Sequence, residues 1–279
     1  MKLVVAALVL LGIGLAALLL LRLLDDRADR AEWARLVALQ PRSPPHFTPE
    51  LVAHLPEPAR RWFAFAIRAG TPLYPVAEIT MRGRFALGTK EDPRYRPMEA
   101  RQILAAPEGF LWRMRTRGGM PLSGSDSARW TRFRLAGLIP VARAGGTPDH
   151  ARSAFGRMVA EAAFWTPAAL LPGPEVRFEP VDAETVRVTV RRGELEQAVE
   201  ITVAADGRPE RVVLQRWSDA NPERRFRLQP FGGVASDFRE VAGFRLPFRV
   251  EGGNMFGTEA WFPFFLAEVT EIRFPGAAP

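Results

Sequence analysis

One stretch, His150 to Pro172, reads as helix in a chain whose other segments beyond Ala77 alternate apolar and polar residues with a period of two. A single mid-chain helix with strands on both sides, and no strand–helix–strand spacing, points away from a parallel α/β fold. It calls for an antiparallel sheet with one apolar face to cover. Thr147 or Asp149 can cap the helix and Pro148 suits its first turn, so the helix is expected over 149–165. At about 100° per residue, Ala151, Ala154, Phe155, Met158, Val159, Ala162 and Trp165 share a broad apolar face. A second arc of Ser153, Gly156, Ala160 and Ala163 is small enough to allow close packing. What remains is a narrow polar stripe of His150, Arg157 and Glu161, with Arg152 to one side. Three readings of Arg157 and Glu161 stand open: a solvated i,i+4 ion pair, the polar lining of a ligand cavity, or a catalytic pair. Pro167 ends the helix by disfavouring the α conformation at Thr166.

The strand signals are regular. From Ala77 to Leu87, Ala77, Ile79, Met81, Phe85 and Leu87 alternate with Glu78, Thr80, Arg82 and Arg84, which reads as a strand with one wet face. Pro107-Glu108-Gly109 turns a strand over Tyr95–Ala105 into another at Phe110–Arg115, and Asp206-Gly207 marks a second hairpin turn. About ten strands are expected in all. Their inward positions are large, among them Phe85, Phe110, Trp112, Met114, Phe226, Phe244, Phe248 and Trp261, and so wide an antiparallel sheet twists, curls or splits. The fold class is therefore α+β: one strongly curved, mainly antiparallel sheet covered by the central helix. A transmembrane helix and short helices precede it. The expected division is an anchor at 1–24, a helical linker region at 25–58 and the sheet domain at 59–279.

Leu3 to Leu21 is an uncharged apolar run bounded by Lys2 and Arg22. As a helix its 19 residues extend about 28 Å, close to the hydrocarbon thickness of a bilayer. A cleaved signal peptide competes with this reading, but the run is long for one and no A-x-A site follows it. A single-pass anchor is expected, and the membrane side stays open. Arg22, Arg27, Arg30 and Arg35 follow the span, with acidic residues interspersed. Residues 25–40 continue as an amphipathic helix with Trp33, Leu36, Val37 and Leu39 on or near one face, and Pro41 to Pro45 forms a stiff linker.

Little chemistry is legible. Cysteine is absent, and the three histidines, His46, His54 and His150, lack metal-ligand spacing, so neither a metal nor a cofactor is expected. Ser123–Ser127 lacks the context of a nucleophile elbow and reads as a polar hairpin turn. No glycine pair fits a phosphate-binding loop. The formal charge is +7, and removing Lys2 and Arg22 leaves +5, too little to imply nucleic acid. Outward arginines such as Arg82, Arg84, Arg113 and Arg187 form a wet face or meet anionic headgroups.

The run Ser153 to Pro172, SAFGRMVAEAAFWTPAALLP, resembles the signature of an uncharacterised bacterial domain-of-unknown-function family. So do Arg101–Leu104 through Trp112, and Pro230-Phe231-Gly232-Gly233 with Phe256-Gly257-Thr258. The resemblance spans roughly Arg60 to Phe274; it implies membership and transfers no activity. The sheet-plus-helix layout is also similar to periplasmic lipoprotein carriers, which hold acyl chains in a half-barrel. This chain departs from them in having no lipobox cysteine. The expectation is a membrane-tethered protein holding a lipid or other apolar ligand, lined by Trp112, Met114, Phe155, Phe248 and Trp261, with Arg157 and Glu161 as the polar end. The alternative is a tethered interaction or scaffold domain with a filled core, and an enzyme ranks third, with no catalytic residue assigned.

Overall fold

The computed structural model describes residues 1–277. Two meanders share one sheet. The first runs β1 (Ala77–Ala86), β2 (Tyr95–Ala105), β3 (Gly109–Thr116), β4 (Leu122–Ser127), β5 (Trp130–Leu135) and β6 (Ile139–Gly145). The second runs β7 (Val176–Pro180), β8 (Thr185–Arg192), β9 (Leu195–Val203), β10 (Pro209–Ser218), β11 (Arg227–Val241), β12 (Phe244–Asn254) and β13 (Phe262–Arg273). The first and last strands pair antiparallel in the middle, giving 13 strands in the order β6-β5-β4-β3-β2-β1-β13-β12-β11-β10-β9-β8-β7. The two edges, β6 and β7, do not pair, so the sheet stays open.

The expectation of about ten strands falls short for physical reasons. β4, with the sequence LSGSDS, carries almost no apolar signal and hides as a turn, yet it pairs with both β3 and β5. β7 is five residues at an edge. β11 runs to 15 residues through Gly232, Gly233 and several charges, which mask its alternation.

Helix α3 (Pro148–Trp165) links the two outermost strands and lies on one face of the sheet. Thr147 is its cap, accepting from the His150 backbone N–H at 3.2 Å. Its packed surface includes both arcs read from the sequence: Phe155, Met158, Val159 and Trp165 on one, Gly156, Ala160 and Ala163 on the other. Gly156 explains why the second arc is small: a Cβ there would stand 2.7 Å from Gln197 Oε1 on β9. Polar ties fix both ends of the helix. Trp217 Nε1 donates to Asp149 Oδ1 at 2.7 Å, and Trp165 Nε1 donates to the Pro247 carbonyl at 3.2 Å. Beside it, α2 (Glu57–Ala66) buries Trp62 and Phe63 completely and closes the core against β7–β9 and β12.

The sheet curls around α3. Phe133 on β5 and Arg216 on β10 line one cavity, although a flat sheet would put strands eight positions apart at a separation of about 38 Å.

Helix α1 (Lys2–Val37) is unbroken, so the apolar run and the segment beyond it are one rod. The run itself is exposed, and this is the one helix among the described residues long and apolar enough to cross a membrane. The second half departs from the expected apolar face. Its buried stripe is Asp25, Asp29, Glu32 and Leu36, while Leu39 is exposed. The reason lies in the surface it meets. Asp25 pairs with Arg132 at 3.0 Å, Arg143 at 2.5 Å, and Arg134; Asp29 pairs with Arg113 at 3.3 Å and accepts from Ser125 Oγ at 2.8 Å. Part of the arginine-rich face is thus covered by an acidic helix edge instead of being left to solvent.

Candidate functional site

The strand alternation that points Phe85, Trp112, Phe133, Phe231 and Phe265 inward leaves a cavity of about 210 Å³ between the sheet and the second half of α3. Its wall is nearly continuous aromatic surface. Trp112 lies 5.9 Å from Phe85, 6.4 Å from Phe133 and 6.1 Å from Phe265; Phe264 sits 5.7 Å from Phe85 and 6.3 Å from Phe231. Gly232 borders the cavity and lets Phe256 pack closely, since a Cβ there would come within 2.8 Å of the Phe256 ring.

Opposite the aromatics, α3 brings a polar cluster. Arg157 donates from Nε to Glu161 Oε1 at 2.7 Å and from Nη1 to Asp126 Oδ2 at 2.6 Å. Its guanidinium lies 4.8 Å from the Phe110 ring centre and 5.2 Å from that of Trp112. Glu161 also accepts from Gln102 Nε2 at 2.6 Å. Thr131 Oγ1 donates to Asp126 and lies 3.2 Å from His150 Nε2. The stripe read as a solvated ion pair is thus mostly buried, with Arg157 and Glu161 side chains 14% and 17% exposed.

Arg216 differs from Arg157. It meets the cavity from β10 and donates to the Ser153 carbonyl at 3.3 Å and to Ser153 Oγ at 3.4 Å, while stacking 4.8 Å from Phe231. Among the described residues no carboxylate lies within ion-pair distance of it. Burial first, and the neighbouring Arg157 second, push its guanidinium down to about 10. Burial likewise holds His150 below the usual imidazole value, with Asp126 raising it and Arg216 lowering it further. Two buried polar atoms of the same region, Trp112 Nε1 and Gln102 Oε1, have no hydrogen-bond partner within the protein, a costly condition in a low-dielectric interior.

Of the residues named from sequence, Trp112, Arg157 and Glu161 line the cavity together. Met114, Phe155 and Phe248 are buried in the surrounding core and are not part of the lining. Trp261 stands apart in the β12–β13 connection, edge-on to Phe256 at 4.7 Å. Asp126, Gln102, Thr131 and Arg216 join the site without having been read from the sequence. For Arg216 the signal was present, since β10 alternation puts it on the face of Val212 and Leu214. For Asp126 it was not, because the strand carrying it is serine and glycine. Among the described residues no three of His, Asp or Glu converge closely enough to hold a metal ion.

The arrangement can hold an apolar group against the aromatics and offer hydrogen bonds to a polar one. Solved structures similar to this chain include a LolA superfamily protein from Nitrosomonas europaea, at 10% identity and a TM-score of 0.37, covering 78% of this chain and 91% of that one. A DUF1329 family protein from Desulfovibrio piger gives 11% identity and a TM-score of 0.36 over 74% of this chain and 88% of that one. Scores this low carry no ligand or activity across. No curated protein matches the chain. A family model described as a family of unknown function matches residues 45–266, most of the chain, and the protein belongs to that family, DUF6544.

Proposed function

We propose that the chain is a membrane-tethered binding protein that holds a lipid or other apolar molecule in the cavity beneath α3, with residues 1–24 as its anchor. The cavity itself supports this reading best. A dry apolar cavity of about 150 Å³ is enough to take a benzene molecule, so about 210 Å³ accommodates a ring or a short stretch of acyl chain. The aromatic wall supplies the apolar contact. Arg216, with Asp126 and Glu161 beside it in the lining, supplies the few polar groups that orient a ligand in such sites.

The full chain purified in detergent tests this. Lipid extracted from the wild type and quantified by mass spectrometry is compared with lipid from Ala160→Phe, which fills the cavity from α3. Both keep the same anchor and the same surrounding lipid, so a difference of one bound molecule per chain reports the cavity. Equal amounts from two folded proteins reject the reading.

A second reading, a tethered interaction domain without a ligand, has its own support. The cavity is smaller than the roughly 300–1,000 Å³ of ordinary small-molecule sites, and Met114, Phe155 and Phe248 are packed solidly around it.

A further inference from the structure

The second half of α1 lies along the strands in a fixed order. Moving back from just beyond the helix, Gln40 bonds Val76 before the start of β1, Leu36 packs beside Gly109, and Asp29 meets Ser125. Asp25 then meets Arg134 near the end of β5, and Arg22 lies against Gly137 in the β5–β6 turn, where an added Cβ would be 3.3 Å from its Nη1. The helix therefore leaves the sheet past the β5–β6 turn, and because it is unbroken the apolar run Leu3–Leu21 projects straight beyond that end.

Strand register places two more turns, β1–β2 and β3–β4, and the β12–β13 connection at the same end. They touch one another: Arg96 Nη1 donates to the Gly118 carbonyl at 2.8 Å, and the Lys90 ammonium meets the Glu259 carbonyl. This end is where large apolar side chains stand free: Leu87 is 44% exposed, Met120 57% and Ile139 52%. Of the turns at the opposite end, 106–108, 128–129 and 242–243 carry none, and 181–184 exposes one, Val181 at 44%. The cavity reaches toward this end, for Phe85 and Phe264 each lie within two residues of the strand ends that border these turns, while Asp126 and Thr131 line it nearer the opposite end.

We propose that the end of the sheet around Leu87, Met120 and Ile139 sits on the bilayer surface at the foot of α1, so that the cavity exchanges its apolar ligand directly with the adjoining leaflet. The proposal rests on the membrane-tethered reading above. Apolar side chains flanked by Arg22, Lys90 and Arg96 suit the headgroup boundary, where apolar groups enter the acyl edge and cations stay among phosphates. The acidic stripe of α1 supplies the rigidity: by locking the rod to the sheet it fixes which end of the domain faces the membrane.

The chain contains no cysteine, which allows single labels in the full-length protein. Met120→Cys, Ile139→Cys, Leu19→Cys and Asp206→Cys, each carrying a nitrobenzoxadiazole fluorophore, are reconstituted into vesicles of phosphatidylcholine and phosphatidylglycerol. A fraction of the lipid carries a nitroxide quencher on the upper acyl chain. Labels at Met120 and Ile139 are expected to lose fluorescence along with Leu19, while Asp206, at the far end, keeps it. If Leu19 is quenched and Met120 and Ile139 behave like Asp206, the tether stands and the docked end is overturned. If Leu19 too keeps its fluorescence, the tether fails and the docking with it.

Discussion

Arg157 on α3 donates to Asp126 on β4 at 2.6 Å, and this bond ties the helix to the first meander across one side of the cavity. The same guanidinium holds Glu161, so one cation serves two mostly buried carboxylates. Replacing it leaves both without a cation, with only the neutral donors Gln102 and Thr131. Arg157→Met is expected to destabilise the fold by about 3–5 kcal/mol, read as a lowered melting temperature. Adding Asp126→Asn and Glu161→Gln should recover most of that loss, because the stranded charges go with them. An unchanged melting temperature in the single variant would show that the cluster does not hold the helix down.

Trp112 separates stability from binding. Its ring is 3% exposed and touches three phenylalanines, yet its Nε1 has no partner. Trp112→Phe is expected to cost no more than about 1.5 kcal/mol, because the lost volume is partly offset by removing an unpaired donor. Trp112→Ala should cost about 3–5 kcal/mol. If a ligand accepts from that nitrogen, the phenylalanine variant binds it more weakly at nearly unchanged stability. Titration of a fluorescent fatty acid against both proteins measures the two effects apart.

Much of this architecture was legible in the sequence. Alternation at Ala77–Leu87 and Phe110–Arg115, and the capped run after Thr147, fix strands and helix through local periodicity. The covering of α3 followed from its circumference, since few of its positions are polar. The site was only half legible. Arg157 and Glu161 announce themselves as a polar stripe on an apolar helix, but Asp126 sits in LSGSDS, where nothing in the composition separates a strand from a turn. The α1 interface was hidden for a related reason. An acidic stripe and an arginine-rich face each read as solvent-facing, and only their complementarity in three dimensions makes both buried.

His150 gives the fold a pH dependence of definite sign. Burial lowers its folded pKa beneath the ordinary value of 6.5, so between the two values the unfolded chain binds more protons than the folded one. Stability from this residue is therefore fully present above 6.5 and is lost as pH falls through the folded value. Asp126 opposes the shift and Arg216 adds to it. Melting temperatures of wild type and His150→Gln across pH 5–7 should diverge toward the acid side, the wild type falling faster. Parallel curves would mean that the imidazole titrates as it does in the unfolded chain.

Asp25 carries the strongest prediction about α1. Its carboxylate, 7% exposed, faces Arg132, Arg134 and Arg143, and the Arg134 side chain is equally buried. Asp25→Leu removes the anion and leaves Arg134 enclosed by like charges, which is expected to cost about 3–5 kcal/mol of the contact between helix and sheet. The loss is local, because the sheet and α3 keep their own core, so residues 25–37 should loosen while the domain stays folded. Trypsin then cuts after Arg27 and Arg30 much faster than in the wild type, and amide exchange accelerates over the same span. Asp25→Glu, which keeps the charge, should restore most of the protection. Should the leucine variant resist trypsin as well as the wild type, packing of Leu36 and Trp33 would be enough to hold the rod without its acidic edge.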